Sequence, residues 1–127
     1  INPILRYGLE ALARDAAAAG ADAFLCVDLP HEEAGDLRAA ATGAGLDLIA
    51  LLAPTTPLAR VRTIARAASG FLYFVSVLGT TGERATLPTE LPSWVRAVRG
   101  VTNLPVGVGF GVSEPEQAAW LATSPTR

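Results

Sequence analysis

Residues 46–77 read LDLIALLAPTTPLARVRTIARAASGFLYFVSV and carry the pattern from which the fold class is predicted. Its two ends, 46–52 and 71–77, are short apolar runs of the kind that form strands buried on both faces. The segment 57–68 between them is predicted to be a helix, because Thr56 suits a helix N-cap and the proline after it suits the first helical position. A strand, a helix and a second strand in this order predict a parallel sheet with a helix packed on it.

The same alternation continues on both sides of this stretch. Short apolar runs predict two further strands, at 23–27 and 106–108. Prolines near helix starts, glycines after helix ends and a capping box of Ser113 and Glu116 predict the other helices. These helices are expected at 9–19, 32–42, 92–98 and 114–121. The chain is therefore predicted to be an α/β protein, with one helix followed by four consecutive βα units in a single domain spanning 1–127.

Two parallel architectures are compatible with this order of elements. A doubly wound sheet can be completed with four or five strands. A (β/α)₈ barrel needs eight strands and about 250 residues, so this chain would be a fragment of one. Half a barrel would have two unpaired strand edges and an uncovered inner face. The periodicity of the residues does not choose between the two.

The composition argues against several classes of protein. The 127 residues carry 10 basic and 12 acidic side chains without a basic stripe, so no nucleic-acid partner is expected. No apolar run reaches the roughly 18 residues of a membrane span, so no membrane association is expected. The single cysteine, Cys26, is expected to be a core residue in a cytoplasmic protein. No cluster of histidine, cysteine and acidic residues has the spacing of a metal site.

Candidate functional residues lie where the predicted strands end, since both architectures bind ligands at the carboxyl ends of their strands. Asp28 follows the first strand and is interpreted either as a functional acid or as a helix cap. His31 is the single histidine and is expected on the surface. Because strand side chains alternate, Phe71 and Tyr73 should share one face of the sheet and Phe74 the other, with a core role as the default for all three.

The segment 107–113 reads GVGFGVS and precedes a predicted helix N-terminus. Glycine at every second position lets the backbone approach a ligand and exposes its N–H groups. The free N–H groups and positive dipole end of the helix add to this. The segment therefore predicts a site for phosphate or another anion, with a tight turn that requires glycine as the alternative. The long polar segment 78–92 is interpreted either as a mobile lid or as an ordinary loop.

Taken together, five segments resemble the α subunit of tryptophan synthase. They are NPILRYG (2–8), DLPHEE (28–33), LAPTTP (52–57), SGFLYFVS (69–76) and LPVGVGFGVS (104–113). The resemblance implies a fragment of a (β/α)₈ TIM barrel, from about the third to the seventh unit. It implies a lyase of tryptophan biosynthesis that cleaves indole-3-glycerol phosphate to indole and glyceraldehyde 3-phosphate. It also implies an αββα assembly with a β subunit that carries pyridoxal phosphate, and no cofactor in the α subunit itself.

The resemblance further implies roles for individual residues. Tyr73 would line the indole pocket, and Thr81 and Gly82 would belong to a closing loop. Phe110 and Gly111 would lie against the substrate. Gly82 and Gly111 would donate backbone N–H groups to its phosphate.

The chain also departs from the family pattern. The family's catalytic glutamate and aspartate would precede Ile1, so no catalytic residue is expected in these 127 residues. A second phosphate-binding element would follow Arg127, and the segment 123–127 does not resemble the family. The fragment alone is therefore expected to be inactive. Two alternatives remain open: another phosphate-binding TIM-barrel enzyme, and a non-catalytic half-barrel that only binds a β-like partner.

Overall fold

The computed structural model of the chain describes residues 1–75, 89–109 and 114–122, in which helices and strands alternate. The helices are α1 Asn2–Tyr7, α2 Leu9–Ala18, α3 Gly35–Gly43, α4 Leu58–Ala67, α5 Leu91–Arg99 and α6 Pro115–Ala122. The strands are β1 Ala23–Leu25, β2 Asp47–Leu52, β3 Leu72–Val75 and β4 Val106–Gly109, and a 3₁₀ turn spans His31–Glu33. The predicted α/β class with four strands in βα units is confirmed.

The four strands form one parallel sheet in the order β1-β2-β3-β4. The first half of β2 pairs with β1, ending at Leu25 opposite Ile49, and the second half pairs with β3. Each strand therefore lies beside its neighbour in sequence. A doubly wound sheet reverses its direction of winding at a switch point, whereas a barrel adds strands in sequence order. The observed order is that of a barrel segment.

One face of the sheet carries the main hydrophobic core, beneath α4 and α5. Leu72 and Phe74 of β3 are fully or almost fully buried there. Burial of large apolar side chains is the main favourable contribution to folding. The buried members of this cluster are Leu52, Val61, Ile64, Ala65, Leu72, Phe74, Leu91, Val95 and Val98. Two smaller clusters, around Ala13 and Leu37, pack α2 and α3 near β1 and β2.

The other face of the sheet is more open. Leu25, the last residue of β1, is 45% exposed. Phe71 and Tyr73 are half-buried on this face, in contrast to the buried Leu72 and Phe74. Period-2 alternation thus separates a helix-covered face from an open face, as in the wall of a barrel.

The prediction of a single helix before β1 was wrong. Two helices, α1 and α2, precede β1. Gly8 separates them because its φ of 93° lies in the left-handed region, which glycine adopts without steric cost. Proline near the N-terminus of α1 starts the first helix, and Tyr7 donates a hydrogen bond of 2.8 Å to Asp15 that joins α1 to α2.

The first βα unit also differs from the prediction. The strand predicted at 23–27 ends at Leu25, because pairing with β2 stops there. The helix predicted at 32–42 is a 3₁₀ turn followed by α3. Pro30 has extended backbone angles, and its carbonyl accepts a hydrogen bond of 3.0 Å from the N–H of Glu33, which closes the tighter turn.

The predicted cap of α4 was wrong. Pro57, in an extended conformation, is the residue before the helix, and α4 begins at Leu58. The Thr56 hydroxyl instead accepts a hydrogen bond of 3.1 Å from the N–H of Ala53, which closes a turn after β2. Other element ends differ from prediction by one or two residues, which is the usual uncertainty at frayed ends. Residues 76–77 of the predicted third strand and Ser113 of the predicted capping box lie outside the described residues.

No helix in the described parts of the chain is both long and apolar enough to cross a membrane.

Gly70 is a position where the fold requires glycine. Its φ is +74°, and a β-carbon there would lie 2.8 Å from Cδ1 of Ile49. It would also lie 3.1 Å from Oδ2 and 3.2 Å from Cβ of Asp47, so crowding adds to the strained backbone conformation. We expect Gly70→Ala to lower the free energy of unfolding by about 1–2 kcal/mol, the cost of a left-handed non-glycine residue. Urea denaturation measures this change in the free energy of unfolding.

The matched control is Gly35→Ala at the start of α3. A β-carbon at Gly35 has no neighbour within 4 Å, and its φ is not positive. This change should be neutral or stabilise the chain by up to about 1 kcal/mol. Equal losses for the two variants would contradict the assignment at Gly70.

Candidate functional site

The open face of β3 and β4 forms the candidate site. Tyr73 lies opposite Gly107 in the register between these strands, and its ring extends to Gly109, the last residue of β4. The carboxyl end of a parallel sheet is where barrel enzymes place their ligand-binding residues. The site is therefore built by the strand side chains that the helices do not cover.

Two aromatic rings lie side by side on this face. The ring centroids of Phe71 and Tyr73 are 6.5 Å apart, with planes inclined by 60°, an edge-to-face arrangement. Aromatic rings favour this geometry because the positive edge of one faces the negative face of the other. The prediction that Phe71 and Tyr73 share a face and Phe74 takes the opposite one is confirmed.

The two glycines of β4 make room for these rings. A β-carbon on Gly107 would lie 3.4 Å from the Phe71 ring. A β-carbon on Gly109 would overlap the hydroxyl oxygen and Cζ of Tyr73 and lie 2.9 Å from its Cε2. Tyr73 therefore lies across β4 at Gly109. Since both glycines are strand residues, the tight-turn interpretation does not apply to them.

This arrangement suits a flat, mostly apolar ligand with a polar group. The rings and the exposed Leu25 offer apolar surface, and the phenol of Tyr73 offers one hydroxyl that donates and accepts hydrogen bonds. Because glycine has no side chain, Gly107 and Gly109 leave space above β4 beside Phe71 and Tyr73. Binding sites of small molecules commonly combine a large apolar wall with few polar groups.

The other predicted site residues lie outside the described residues. These are Thr81, Gly82, Phe110 and Gly111. The predicted phosphate site and the predicted lid at 78–92 depend on these segments. They therefore stay predictions.

Asp28 and His31 follow β1 but differ from the sequence predictions. Asp28 is exposed, and neither the 3₁₀ turn nor α3, both fully described, has a side-chain cap. The capping interpretation of Asp28 was therefore wrong. His31 was expected on the surface but is half-buried, with Nδ1 at 3.5 Å from Nη2 of Arg38. Among the described residues, no group of three or more histidine, cysteine and acidic residues is placed to hold a metal.

An ion pair missed by the sequence analysis links the 3₁₀ turn to α4. Arg60 contacts both carboxylate oxygens of Glu32, with Nη1 at 2.7 Å from Oε1 and Nη2 at 3.1 Å from Oε2. A two-point contact of this kind is geometrically specific. The two residues are 28 positions apart in the sequence, so no local pattern could predict the pair.

The pKa of Glu32 is lowered from its ordinary value of 4.5 by a hydrogen bond from its own backbone N–H and then by the Arg60 guanidinium. A lowered pKa in the folded chain means that the stabilisation is present above the unfolded pKa and is lost as pH falls through the folded value. We expect Arg60→Gln to raise the pKa of Glu32, measured by a carbon-13 NMR titration of its carboxyl group.

Arg62→Gln on the same helix is the control, because Arg62 is exposed and no ion pair with Glu32 is described for it. This variant should not move the Glu32 titration. An unchanged pKa in Arg60→Gln would show that the backbone N–H alone lowers it.

Comparison with known proteins identifies relatives along nearly the whole chain. The family model described as tryptophan synthase alpha chain matches residues 1–125. The tryptophan synthase alpha chain of Geobacter sp. (strain M21) is 54% identical over 121 residues, which are 95% of this chain and 45% of that protein. That of Chloroflexus aurantiacus is 53% identical, over 95% of this chain and 46% of that protein. The chain thus spans about half the length of the curated relatives it matches.

Solved structures give the same result in three dimensions. A chain of the tryptophan synthase a2b2 complex from Pyrococcus furiosus superposes with a TM-score of 0.88 and 36% identity, over 97% of this chain and 50% of that chain. A chain of Mycobacterium tuberculosis tryptophan synthase superposes with a TM-score of 0.84 and 40% identity, over 97% and 47%. The four-stranded segment therefore matches about half of a longer barrel.

Proposed function

Because the chain belongs to the tryptophan synthase alpha chain family, we propose that the intact protein cleaves indole-3-glycerol phosphate to indole and glyceraldehyde 3-phosphate. In this proposal residues 1–127 form part of one barrel domain. They supply a wall of the substrate pocket. The position of Tyr73, across Gly109 on the open face of the sheet, is the observation that carries this role.

The indole ring of the substrate would lie against this wall. Indole is flat and apolar, with one N–H donor, and it complements the two inclined rings at Phe71 and Tyr73. A site with few polar groups favours such a substrate over a sugar or a nucleotide, whose many hydroxyl groups would lose hydrogen bonds to water. Leu25 adds exposed apolar surface on β1, two strands away from Tyr73.

The phosphate end of the substrate would be held by segments outside the described residues. We assign Gly82 and Gly111 to phosphate binding through their backbone N–H groups, and Thr81 and Phe110 to contacts with the substrate. This assignment rests on the family resemblance and on the GVGFGVS sequence that begins in β4. Backbone N–H groups beside a helix N-terminus suit a phosphate.

The cleavage is a retro-aldol reaction. It needs an acid that protonates the indole ring and a base that takes the proton of a glycerol hydroxyl. We assign neither role to Asp28, which is exposed and does not lie on the ring-lined part of the sheet. The acid and base are proposed to come from the part of the family's length that these 127 residues do not span.

The proposed partner is a tryptophan synthase β subunit, in an αββα assembly that acts in the cytoplasm. The similar structure from Pyrococcus furiosus is an a2b2 complex, which supports this assembly. The pyridoxal phosphate of the reaction sequence would belong to the β subunit, and the α subunit would need no cofactor of its own. The single cysteine is in keeping with a reducing compartment.

An indole-release assay tests the proposal. The intact protein and the 127-residue chain are each incubated with β subunit and indole-3-glycerol phosphate, and indole is measured. We expect release by the intact protein and none by the 127-residue chain alone. Tyr73→Ala in the intact protein should raise KM more than Tyr73→Phe, because the alanine removes the ring surface while phenylalanine keeps it.

Two outcomes would contradict the proposal. Absence of release by a folded intact protein would reject the activity and favour a non-catalytic half-barrel that binds a β-like partner. Robust release by the 127-residue chain would reject the placement of the acid and base outside it. A panel of other phosphorylated substrates separates the remaining alternative, a different phosphate-binding barrel enzyme.

A further inference from the structure

A groove of about 380 Å³ lies between the first two βα units, where β1 and β2 separate. β1 stops pairing with β2 at Leu25, and the chain then leaves the sheet toward the 3₁₀ turn. This departure opens a gap between β2, α3 and α4. Apolar groups from Leu48, Ala50, Ile64 and Ala68 line it. Its volume is within the range of about 300–1,000 Å³ that small-molecule sites occupy.

Arg38 of α3 contributes the polar feature of this groove. Its Nε is buried and has no hydrogen-bond partner in the part of the chain that the structure describes. Its Nη2 lies 3.5 Å from Nδ1 of His31, at the long limit of a hydrogen bond. A buried N–H without an acceptor is costly, particularly on a charged group. The lining of the groove thus includes a cationic side chain, one of whose N–H groups is buried without an acceptor.

Among the described residues, no acidic group that lines the groove forms an ion pair with Arg38. Arg60 also lines the groove, but its charge is already balanced by Glu32, which contacts it through both carboxylate oxygens. Asp28 lines the groove and is exposed, and no ion pair joins it to Arg38 among the described residues. Arg38 therefore carries positive charge that its described neighbours leave uncompensated.

We propose that this groove binds a small apolar carboxylate. The carboxylate oxygens accept hydrogen bonds from the Arg38 guanidinium, and the apolar body lies against Leu48, Ile64 and Ala68. A planar carboxylate matches the guanidinium better than a spherical ion does, because its two oxygens accept two parallel N–H donors. Phe71 and Tyr73 are not among the residues that line the groove, so the site is separate from the proposed substrate pocket and does not depend on the proposed function.

Benzoate is the probe for this site, and benzamide is its uncharged counterpart of the same shape. Titration of the full chain, followed by ¹H–¹⁵N NMR, should give saturable shifts around Leu48, Ile64 and Ala68 with benzoate. Arg38→Met keeps much of the apolar stem and removes every N–H. It should weaken benzoate binding about tenfold to a hundredfold, the value of a charge-assisted hydrogen bond. Arg62→Met, on the exposed side of α4, is the matched control and should bind as the parent chain does.

Ala68→Leu gives a second, independent variant, since it fills the groove while leaving Arg38 in place. It should abolish benzoate binding, and circular dichroism establishes that each variant is folded. Equal binding of benzoate by Arg38→Met and the parent chain would overturn the proposal. So would benzamide or inorganic phosphate binding as tightly as benzoate, or benzoate shifts confined to the Tyr73 face.

Discussion

Gly109→Ala is expected to lower the free energy of unfolding by about 2–3 kcal/mol, toward the upper end of the cost of overpacking a close-packed site. The added β-carbon would overlap the hydroxyl oxygen and Cζ of Tyr73. An aromatic ring is rigid, unlike the end of a flexible aliphatic side chain. The whole Tyr73 side chain must therefore rotate away from β4 to remove the overlap. In the intact protein the same change should raise KM for indole-3-glycerol phosphate, because the proposed indole wall loses its position.

A double-mutant cycle isolates this overlap. Tyr73→Ala removes the ring that the new β-carbon would meet. Gly109→Ala should therefore cost much less in the Tyr73→Ala background than in the parent chain, with a coupling energy of about 1–2 kcal/mol for residues in direct contact. Urea denaturation of the four chains measures it. Strict additivity of the two changes would contradict the contact.

Gly107→Ala is the matched control two residues earlier in the same strand. A β-carbon there would lie 3.4 Å from the Phe71 ring, an ordinary to slightly tight contact. The strand positions are otherwise comparable, since both glycines are partly buried on the open face. We expect a loss of less than about 1 kcal/mol, within the usual range of well-tolerated changes. Equal effects at the two glycines would indicate a general need for backbone freedom in β4.

Phe74→Ala is expected to have the largest effect on stability, a loss of about 3–5 kcal/mol. Phe74 is 2% exposed and lies in the core cluster between β3 and the helices α4 and α5. Its removal leaves a cavity and takes away the packing of a large ring. A domain has only about 5–15 kcal/mol of stability, so we expect part of the Phe74→Ala population to be unfolded at room temperature. Urea denaturation, checked by circular dichroism of the native baseline, measures it.

Phe71→Ala, at the residue directly before β3, provides the comparison on the other face of the sheet. Phe71 is half-buried, so its truncation removes less contact and leaves no closed cavity. Its cost should be less than half of that for Phe74→Ala. Similar losses at both positions would mean that the open face is packed as tightly as the core, contrary to the burial of these side chains.

The alternation of apolar runs and helical segments was enough to predict the class of fold. Each strand and helix is a local element, and its period follows from the spacing of nearby residues. The same period separated Phe71 and Tyr73 from Phe74 correctly. The resemblance of five short segments to tryptophan synthase α subunits was confirmed by the match over residues 1–125.

Local sequence patterns predicted the ends of the helices and strands less accurately than their type. Thr56 and Pro57 together are typical of a helix start, but the threonine hydroxyl closes the turn after β2. The competition between capping and turn formation depends on how the chain leaves the strand, which a window of a few residues does not contain. The division of α1 from α2 at Gly8 was also missed, because glycine permits a positive φ but does not require it.

Local sequence patterns were sufficient to predict the α/β class, the four parallel strands, the faces of Phe71, Tyr73 and Phe74, and the family. Only the tertiary structure decided the order of strands, the contact of Tyr73 with Gly109, and the groove that contains Arg38. The physical reason is the range of the interactions. Periodicity arises from residues within a few positions of one another, whereas the register of paired strands brings together side chains that are far apart along the chain.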